Sequence, residues 1–328
     1  MTVPLYPLRF EPILQPRIWG GRQLASWYGY ATDEPIGEAW VLSDREDHPS
    51  RIAEGPLKGR TLPQLMAEVA PALLGPKAEH HRRFPLLLKF LDARDTLSVQ
   101  VHPTDGHTQL LPHGERGKTE AWIVLQAEPE SRIFAGLHPG VTAEVMCRAL
   151  AERRLRDLLA SFVPKPGDGI MLDAGTVHAL GGGVLLFEVQ QNSDVTFRLY
   201  DWDRVDGQGK PRALHIEDAL ACTDFTRGPV GPVVPVVEAT APVRREQMFD
   251  CPFFRLWRLH GQEPFPVGAA GDCRVLVGIA GRAQLEHATG RTSLAAGTVV
   301  LWPATLGVGM CRPEGSTPAT VLEIALPV

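Results

Sequence analysis

A short segment near residue 100 places two polar side chains on one face of a predicted strand. Residues 98–103 read Ser-Val-Gln-Val-His-Pro. Successive side chains of a strand point to opposite faces, so Gln100 and His102 share one face and the two valines share the other. Leaving the two polar groups buried without partners would cost about 1–3 kcal/mol each. Because a metal ion would satisfy both groups, this segment is a candidate metal-binding strand.

Two downstream segments supply the same kinds of ligand. Residues 117–122 read Gly-Lys-Thr-Glu-Ala-Trp, which puts Lys118 and Glu120 on one face where an apolar strand begins. Residues 173–180 read Asp-Ala-Gly-Thr-Val-His-Ala-Leu, a tight glycine-containing turn that leads His178 onto a new strand. Two imidazoles and a carboxylate form a zinc-binding set that leaves positions open for water or substrate. Iron, manganese or cobalt could use the same ligands.

The elements that would position these ligands are short. The chain has 32 glycines and 29 prolines spread over its whole length of 328 residues, a density that favours strands and turns over long helices. Helical periodicity is confined to residues 61–74, residues 142–162 and about residues 216–222, and the first two begin with a threonine cap. Apolar runs of strand length cover residues 84–91, 97–101, 121–126, 169–172, 184–189 and 195–200.

The amino-acid composition of the sequence changes after residue 225. Residues 228–237 are rich in proline, glycine and valine and are typical of an extended connector. Short strand candidates then recur about every ten residues, at 254–259, 273–279, 282–287, 298–302 and 320–325. Such regular spacing favours a small β-sandwich or barrel. We therefore predict a domain boundary near residue 235, with all the helices before it.

The charge balance and the cysteine content of the sequence indicate which classes of partner and which compartment to expect. With 38 acidic and 33 basic residues the net charge is −5, so the chain has no global attraction to nucleic acid, and an anionic ligand must be held by a local basic pocket. The five cysteines form no CxxC pair, which favours reduced thiols. The sequence shows neither an apolar span of membrane length nor a signal-peptide pattern. We expect a cytoplasmic protein without membrane partners, monomeric by default, with a dimer left open.

Five further segments accompany the three described above, in a fixed order between about residues 10 and 220. They are Trp-Gly-Gly at 19–21, Ile-Gly-Glu-Ala-Trp at 36–40, Phe-Pro-Leu-Leu-Leu-Lys at 84–89, Gln-Gln-Asn-Ser-Asp at 190–194 and Tyr-Asp-Trp-Asp-Arg at 200–204. Together the eight segments resemble the type I mannose-6-phosphate isomerases, particularly the short bacterial form, a family within the cupin superfamily.

The resemblance implies a mainly β protein with two cupin (jelly-roll-like) β-barrel domains and a few inserted helices. Residues 1–235 would form the catalytic, metal-binding cupin domain with its helical insertions. Residues 236–328 would form a metal-free cupin-like domain, because residues 297–304 resemble the second cupin motif and contain no histidine.

The resemblance also assigns roles to individual residues. It implies one Zn²⁺ per chain, surrounded by His102, Glu120, His178 and Gln100, of which the amide is the weakest donor. Lys118 would lie near the sugar, and Arg198 would be an active-site residue. One departure is visible, since relatives usually have proline before Ala-Gly-Thr-Val-His and this chain has Asp173. Aspartate is also a competent turn residue, so the metal-site interpretation is kept.

The activity implied by the resemblance is the interconversion of mannose 6-phosphate and fructose 6-phosphate through an enediol. Such a reaction needs a polarised oxygen, a proton moved between C1 and C2, and groups that stabilise the developing negative charge. Glu188 is the candidate base, and His102 and Lys118 are its rivals. The candidates for holding the phosphate are Arg198, Arg204, Lys89 and Ser43.

Two other functions stay open at this point. The first is another metal-dependent cupin enzyme, either a different sugar isomerase or an oxygenase, which iron retention and oxygen consumption would favour. The second is a non-catalytic sugar-phosphate-binding cupin. The three ligands His102, Glu120 and His178, with Lys118 and Arg198 beside them, argue against the second, because a binding module has less need of all five groups.

Overall fold

The computed structural model describes residues 5–205 and 209–327, and the fold within them is mainly β. Strands make up 42% and helices 14%, which confirms the predicted fold class. No helix in these ranges is long and apolar enough to cross a membrane. Closure of the sheets into barrels stays a prediction.

The elements are short throughout. In chain order the strands are β1 Leu8–Arg9, β2 Ile13–Gly21, β3 Ile36–Leu42, β4 Leu86–Ala93, β5 Val99–Val101, β6 Glu120–Ala127, β7 Ile133–Leu137, β8 Leu159–Phe162, β9 Gly169–Leu172, β10 His178–Leu180, β11 Val184–Gln191, β12 Phe197–Tyr200, β13 Val236–Ala239, β14 Arg244–Asp250, β15 Arg255–Gly261, β16 Phe265–Gly268, β17 Arg274–Ala280, β18 Arg282–His287, β19 Gly290–Ala295, β20 Val299–Trp302, β21 Val308–Pro313 and β22 Ala319–Ala325. The helices are α1 Gln23–Trp27, α2 Leu62–Leu74, α3 Ala143–Ala151 and α4 Ile216–Cys222, with 3₁₀ turns at Gly75–Glu79, Leu155–Leu158 and Ala304–Leu306.

The chain divides into two compact units. Among the described residues, the central unit comprises residues 14–39 and 89–233, and the carboxyl unit comprises residues 5–13, 40–88 and 234–327. The chain passes from the central unit to the carboxyl unit for the last time between residues 233 and 234. The division into domains at residues 1–235 and 236–328 stays a prediction. The sequence did not indicate that the segments before residue 14 and at residues 40–88 belong to the carboxyl unit. Their place in it depends on strand pairing between residues distant in the chain, as in Leu8 opposite Leu301.

The central unit contains two antiparallel sheets that carry the candidate ligands. The first runs in the order β12-β5-β10-β7-β8. The second runs in the order β2-β3-β4-β11-β6-β9, and the parts of its first three strands that lie in this unit are residues 14–21, 36–39 and 89–93. Val99 and Val101 are completely buried in an apolar cluster, so the alternation of β5 turns Gln100 toward the opposite face as predicted.

The carboxyl unit contains a seven-stranded sheet in the order β1-β20-β17-β22-β15-β14-β13 and a four-stranded sheet in the order β16-β21-β18-β19. Its core is filled by large apolar side chains, among them Trp302 and Phe265, which are completely buried. His287 packs edge-on against Trp302 with ring centroids 5.8 Å apart. This histidine is therefore a packing residue of the unit.

The prediction of one helix was wrong for the second half of its range. Residues 142–162 were expected to form a single helix, but α3 ends at Ala151. Arg153 adopts a left-handed backbone conformation with φ of 59°, which a continuing right-handed helix does not allow. Leu159 then pairs with Leu137 in β7, so the apolar residues of this stretch are buried by a strand.

Candidate active site

Three site residues lie side by side across the five-stranded sheet. Gln100 on β5 is the register partner of His178 on β10, and on its other side it is the partner of Arg198 on β12. Directly opposed residues in antiparallel strands project to the same face. The sheet therefore brings together residues that are up to 98 positions apart in the chain, Gln100 and Arg198.

Glu120 enters the site from the six-stranded sheet, as the first residue of β6. The preceding Thr119 anchors this strand end, because its backbone N–H donates to Gln191 Oε1 (2.9 Å) and its Oγ1 accepts from the N–H of Ala174 (3.2 Å). The second bond connects the start of β6 to the turn before His178. The carboxylate and the imidazole are thus held by one local network.

The turn that delivers His178 forms without the proline typical of the family. The N–H of Thr176 donates to the carbonyl of Asp173 (3.1 Å), and Gly175 adopts a φ of 88°, where a side chain would be strained. The N–H of Gly175 also donates to the carbonyl of His102 (2.8 Å). Asp173 pairs with Arg227 through its carboxylate. These bonds fix the turn, so Asp173 is compatible with the ligand geometry.

His102, Glu120 and His178 meet at one buried point. His102 Nε2 lies 3.4 Å from Glu120 Oε2, and His178 Nε2 lies 3.3 Å from Glu120 Oε1. A tetrahedral zinc site with bonds of about 2.1 Å separates neighbouring ligand atoms by about 3.4 Å. The three side chains are at most 2% exposed. Their spacing therefore fits a metal ion with two imidazole ligands and one carboxylate ligand.

Hydrogen bonds aim both imidazoles into the site. Nδ1 of His102 donates to the carbonyl of Val195 (2.9 Å), and Nδ1 of His178 donates to the carbonyl of Thr176 (2.8 Å). This leaves Nε2 of each ring directed at the centre as an acceptor, which is how second-shell carbonyls orient metal-binding histidines. Burial, and then the positive charge of Lys118, lower the pKa of His102 to about 3, so its ring is neutral as a metal ligand requires.

Gln100 stands next to this group as the predicted fourth donor. Its Nε2 lies 3.3 Å from His178 Nε2. The two atoms of a glutamine amide are assigned from their surroundings, and rotation of this amide would turn its oxygen toward the same point. The structure thus places all four predicted ligands together, with the amide in the position of a secondary donor.

Lys118 lies in direct contact with the ligands. Its Nζ is 2.7 Å from Glu120 Oε2 and 3.3 Å from His102 Nε2. Burial opposes the charge of Lys118, but Glu120 and Glu188 outweigh it, so the pKa of the ammonium is raised. Burial also opposes the charge of Glu120, yet the same contact with Lys118 holds the pKa of Glu120 well below its usual range. This pair is fully charged at neutral pH.

A cavity of about 330 Å³ opens beside the ligands, and its wall includes Gln100 and Lys118. The basic side chains in the wall are Arg17, Lys89, Lys118, Arg198 and Arg212, and the acidic ones are Glu38, Glu188 and Asp194. The wall contains more cations than carboxylates, although Lys118 and Arg212 are paired with Glu120 and Asp201 outside it. An acidic protein needs such a local basic site for an anionic ligand. The volume of the cavity suits a small, polar molecule.

Glu188 is a buried carboxylate in this wall. It is paired with Trp122 across β11 and β6, and the indole N–H of Trp122 donates to Glu188 Oε2 (2.8 Å). Its other oxygen, Oε1, lies 3.6 Å from Lys89 Nζ. Burial and then the charge of Glu120 raise the pKa of Glu188, while Lys118 and Lys89 oppose the rise. A carboxylate with a raised pKa beside a cavity has the properties of a proton carrier.

Arg198 is held at the edge of the same cavity. Its Nε donates to Ser98 Oγ (3.2 Å) and its Nη1 to the carbonyl of Ala213 (3.0 Å). Burial and then the charge of Arg212 lower its pKa, and Asp201 opposes this. The guanidinium keeps its charge nevertheless, because an arginine remains protonated in proteins.

The predicted phosphate-binding residues separate into two groups. Lys89 lines the cavity with Arg198, whereas Arg204 and Ser43 are not among its lining residues. Arg204 uses its three guanidinium nitrogens on Asp201 and on the carbonyl of Thr96. Ser43 Oγ accepts from the backbone N–H of Arg45 (3.3 Å). These contacts lie within the protein, and the phosphate-binding roles of Arg204 and Ser43 stay predictions.

Sequence reasoning missed several residues of the cavity wall. Ser98 lies two positions before Gln100, and Asp194 and Thr196 lie four and two positions before Arg198, all just outside the bounds of β5 and β12, so nearness in sequence to named residues could have found them. Arg17 and Arg212 had no such signal, because they belong to segments that reach the cavity only through the tertiary fold.

Known proteins resemble this chain over most of its length. A family model described as the catalytic domain of type I phosphomannose isomerase matches residues 8–119. The mannose-6-phosphate isomerase ManA of Bacillus subtilis is 36% identical over 285 residues, which cover 79% of this chain and 83% of that protein. The chain belongs to the type I mannose-6-phosphate isomerase family. The resemblance inferred from the eight sequence segments is thereby confirmed.

Other comparisons agree with this assignment. A mannose-6-phosphate isomerase of Streptococcus mutans is 35% identical over 284 residues, covering 83% of this chain and 88% of that protein. The crystal structure of the mannose 6-phosphate isomerase of Bacillus subtilis superposes with a TM-score of 0.89 at 28% identity, covering 98% of this chain and 99% of the other. The apo form from Salmonella typhimurium, at 18% identity and a TM-score of 0.75, shares the fold.

Proposed function

We propose that this protein is a zinc-dependent aldose–ketose isomerase that interconverts mannose 6-phosphate and fructose 6-phosphate. The observation that supports this most directly is the joining of the ligand group His102, Glu120 and His178 to a basic cavity that also contains a buried carboxylate. A bound zinc ion would polarise a substrate oxygen as a Lewis acid. The ligand set of two histidines and one glutamate is one that catalytic zinc sites use.

The remaining chemistry is assigned to side chains of the cavity wall. Glu188 would take a proton from one of the two carbons C1 and C2 and return it to the other. Lys118 and Arg198 would stabilise the negative charge that develops on the enediol oxygens, as fixed cations in a site that excludes water. Lys89 and Arg198 are the predicted phosphate-binding residues that reach the cavity.

The wider setting is proposed on the same basis. The substrate is a small-molecule sugar phosphate and the compartment is the cytoplasm, with a monomer as the default state and a dimer left open. The metal-binding role belongs to the region before residue 235, and the β-rich region after it has a structural role.

The proposed function predicts a metal-dependent conversion. Protein stripped with a chelator should lose the ability to form fructose 6-phosphate from mannose 6-phosphate in a coupled assay, and added zinc should restore it. The ligands are buried, so metal content should be followed alongside the rate to confirm removal and return. Absence of fructose 6-phosphate in both the treated and the restored protein would refute the isomerase assignment, and oxygen consumption with bound iron would favour an oxygenase.

Replacement of Arg198 by alanine should separate metal binding from turnover. Its side chain donates to Ser98 and Ala213, and neither is a candidate metal ligand, so zinc content should be unchanged. The value of kcat/KM should fall about 10²-fold, the order seen when one charge-stabilising donor is removed. The exposed Arg94→Ala provides the matched control. Loss of zinc together with activity would show that the role given to Arg198 is mistaken.

A further inference from the structure

Arg17 on β2 and Glu38 on β3 form an ion pair in the wall of the cavity. Arg17 Nε lies 3.0 Å from Glu38 Oε1 and Arg17 Nη2 lies 3.3 Å from Glu38 Oε2, so the contact is bidentate. The remaining nitrogen, Nη1, donates to the carbonyl of Pro16 (3.1 Å). Three of the five guanidinium N–H groups thus donate inside the protein, and the two bonds to one carboxylate orient Arg17 toward Glu38.

Two glycines in the neighbouring segments make room for this pair. A Cβ at Gly37 would lie 2.6 Å from Arg17 Cβ and 2.6 Å from the ring of Trp19, and a Cβ at Gly20 would lie 2.4 Å from the nitrogen of Gly37. The two backbones can approach closely only because both positions lack side chains. The Trp-Gly-Gly and Ile-Gly-Glu segments therefore serve to lay Arg17 across β3 and against Glu38.

Glu38 is shared between Arg17 and Lys89. Lys89 Nζ lies 3.8 Å from Glu38 Oε2, 3.6 Å from Glu188 Oε1 and 3.8 Å from Asp194 Oδ1. The ammonium thus stands nearly equidistant from three carboxylates. Its side chain is only 5% exposed and that of Glu38 is 12% exposed, so water screens these charges weakly. The position of Lys89 depends on how strongly each carboxylate attracts it.

We propose that Arg17 is a positioning residue that neutralises Glu38 and thereby keeps Lys89 beside Glu188 and Asp194. Without Arg17, the full charge of Glu38 would have Lys89 as its cationic partner and would draw the ammonium away from the other two carboxylates. The consequence for turnover rests on the proposed function, because it assumes that Glu188 carries the proton. The consequence for the position of Lys89 does not rest on the proposed function.

A double-mutant comparison tests this role. Arg17→Met, which keeps an apolar stem across Gly37, should lower kcat about tenfold and change KM for mannose 6-phosphate by less than about threefold, the range expected for coupled neighbours. Adding Glu38→Gln removes the competing charge, so the double variant should regain kcat to within about threefold of the wild type. A positively charged replacement, Arg17→Lys, should also stay within about threefold. Arg22→Met, at an exposed arginine, is the control.

Several outcomes would overturn the proposal. A double variant as slow as Arg17→Met, or a tenfold rise in KM with unchanged kcat, would show that Arg17 contacts the substrate itself. If the wild type forms no fructose 6-phosphate, the proposed function fails, and the crystal structure of the Arg17→Met variant still decides the inference. The distance from Lys89 Nζ to Glu38 Oε2 should then shorten from 3.8 Å, and an unchanged distance would contradict the proposed role.

Discussion

Replacement of His178 by alanine should remove both the bound metal and the isomerase activity. His178 supplies one of three ligand atoms at a site where Nε2 lies 3.3 Å from the carboxylate of Glu120. The loss of Lewis-acid stabilisation worth several kcal/mol corresponds to a fall in kcat of about a thousandfold or more. Zinc per chain, measured on the purified protein, should fall in parallel with the rate.

The matched control is His113→Ala, because His113 is an exposed histidine in the same unit. That variant should keep both the metal and the rate. Thermal unfolding of the His178→Ala variant separates loss of the site from loss of the fold. A His178→Ala protein that folds, binds zinc as the wild type does and turns over normally would place the metal centre elsewhere.

The grouping of the candidate ligands His102, Glu120 and His178 was predictable from sequence because each lies at or next to a strand end with a strong local pattern. Gln100 and His102 alternate with buried valines, and His178 follows a turn with a glycine at positive φ. These signals are local, and the order of the segments completed the argument. What the sequence could not provide was the register that sets Gln100 directly between His178 and Arg198, since strand pairing joins distant residues.

Where the sequence-based predictions were wrong or incomplete, the cause was again contact between residues distant in the chain. The second half of the predicted helix at residues 142–162 has apolar residues at helical spacing, yet Leu159 and its neighbours gain more by pairing with β7. Arg204 is absent from the cavity wall that holds Lys89 and Arg198, and it donates to the carboxylate of Asp201 and to a backbone carbonyl, so its phosphate-binding role stays a prediction. Arg17 was overlooked because its partner Glu38 lies 21 positions away. In such cases the tertiary contacts available to each side chain decide its structure and role.

Glu188→Gln should abolish most of the turnover and leave the fold intact. If Glu188 carries the proton, its loss should lower kcat about 10²- to 10⁴-fold. Glutamine can still accept the hydrogen bond from the indole of Trp122, so the local structure is kept. Zinc content should be unchanged, and Glu130→Gln, at an exposed glutamate, is the control that should change neither property.

The pH dependence distinguishes a proton carrier from a structural carboxylate. Burial and the charge of Glu120 raise the pKa of Glu188 above its ordinary value of 4.5. Only the ionised form accepts a proton, so kcat/KM of the wild type should fall as the pH decreases through this raised pKa, and the residual rate of Glu188→Gln should lack that limb.

The contribution of Glu188 to the stability of the fold should decrease with rising pH, whereas its contribution to activity should increase. A carboxyl whose pKa is higher in the folded state stabilises the fold fully below its unfolded pKa, and this contribution is lost as the pH rises through the folded pKa. Ionised Glu188 therefore costs stability at pH 8, and the melting temperature of Glu188→Gln should equal or exceed that of the wild type there. A variant that is less stable but retains its turnover would show that Glu188 is a structural partner of Lys89 and that another group, His102 or Lys118, moves the proton.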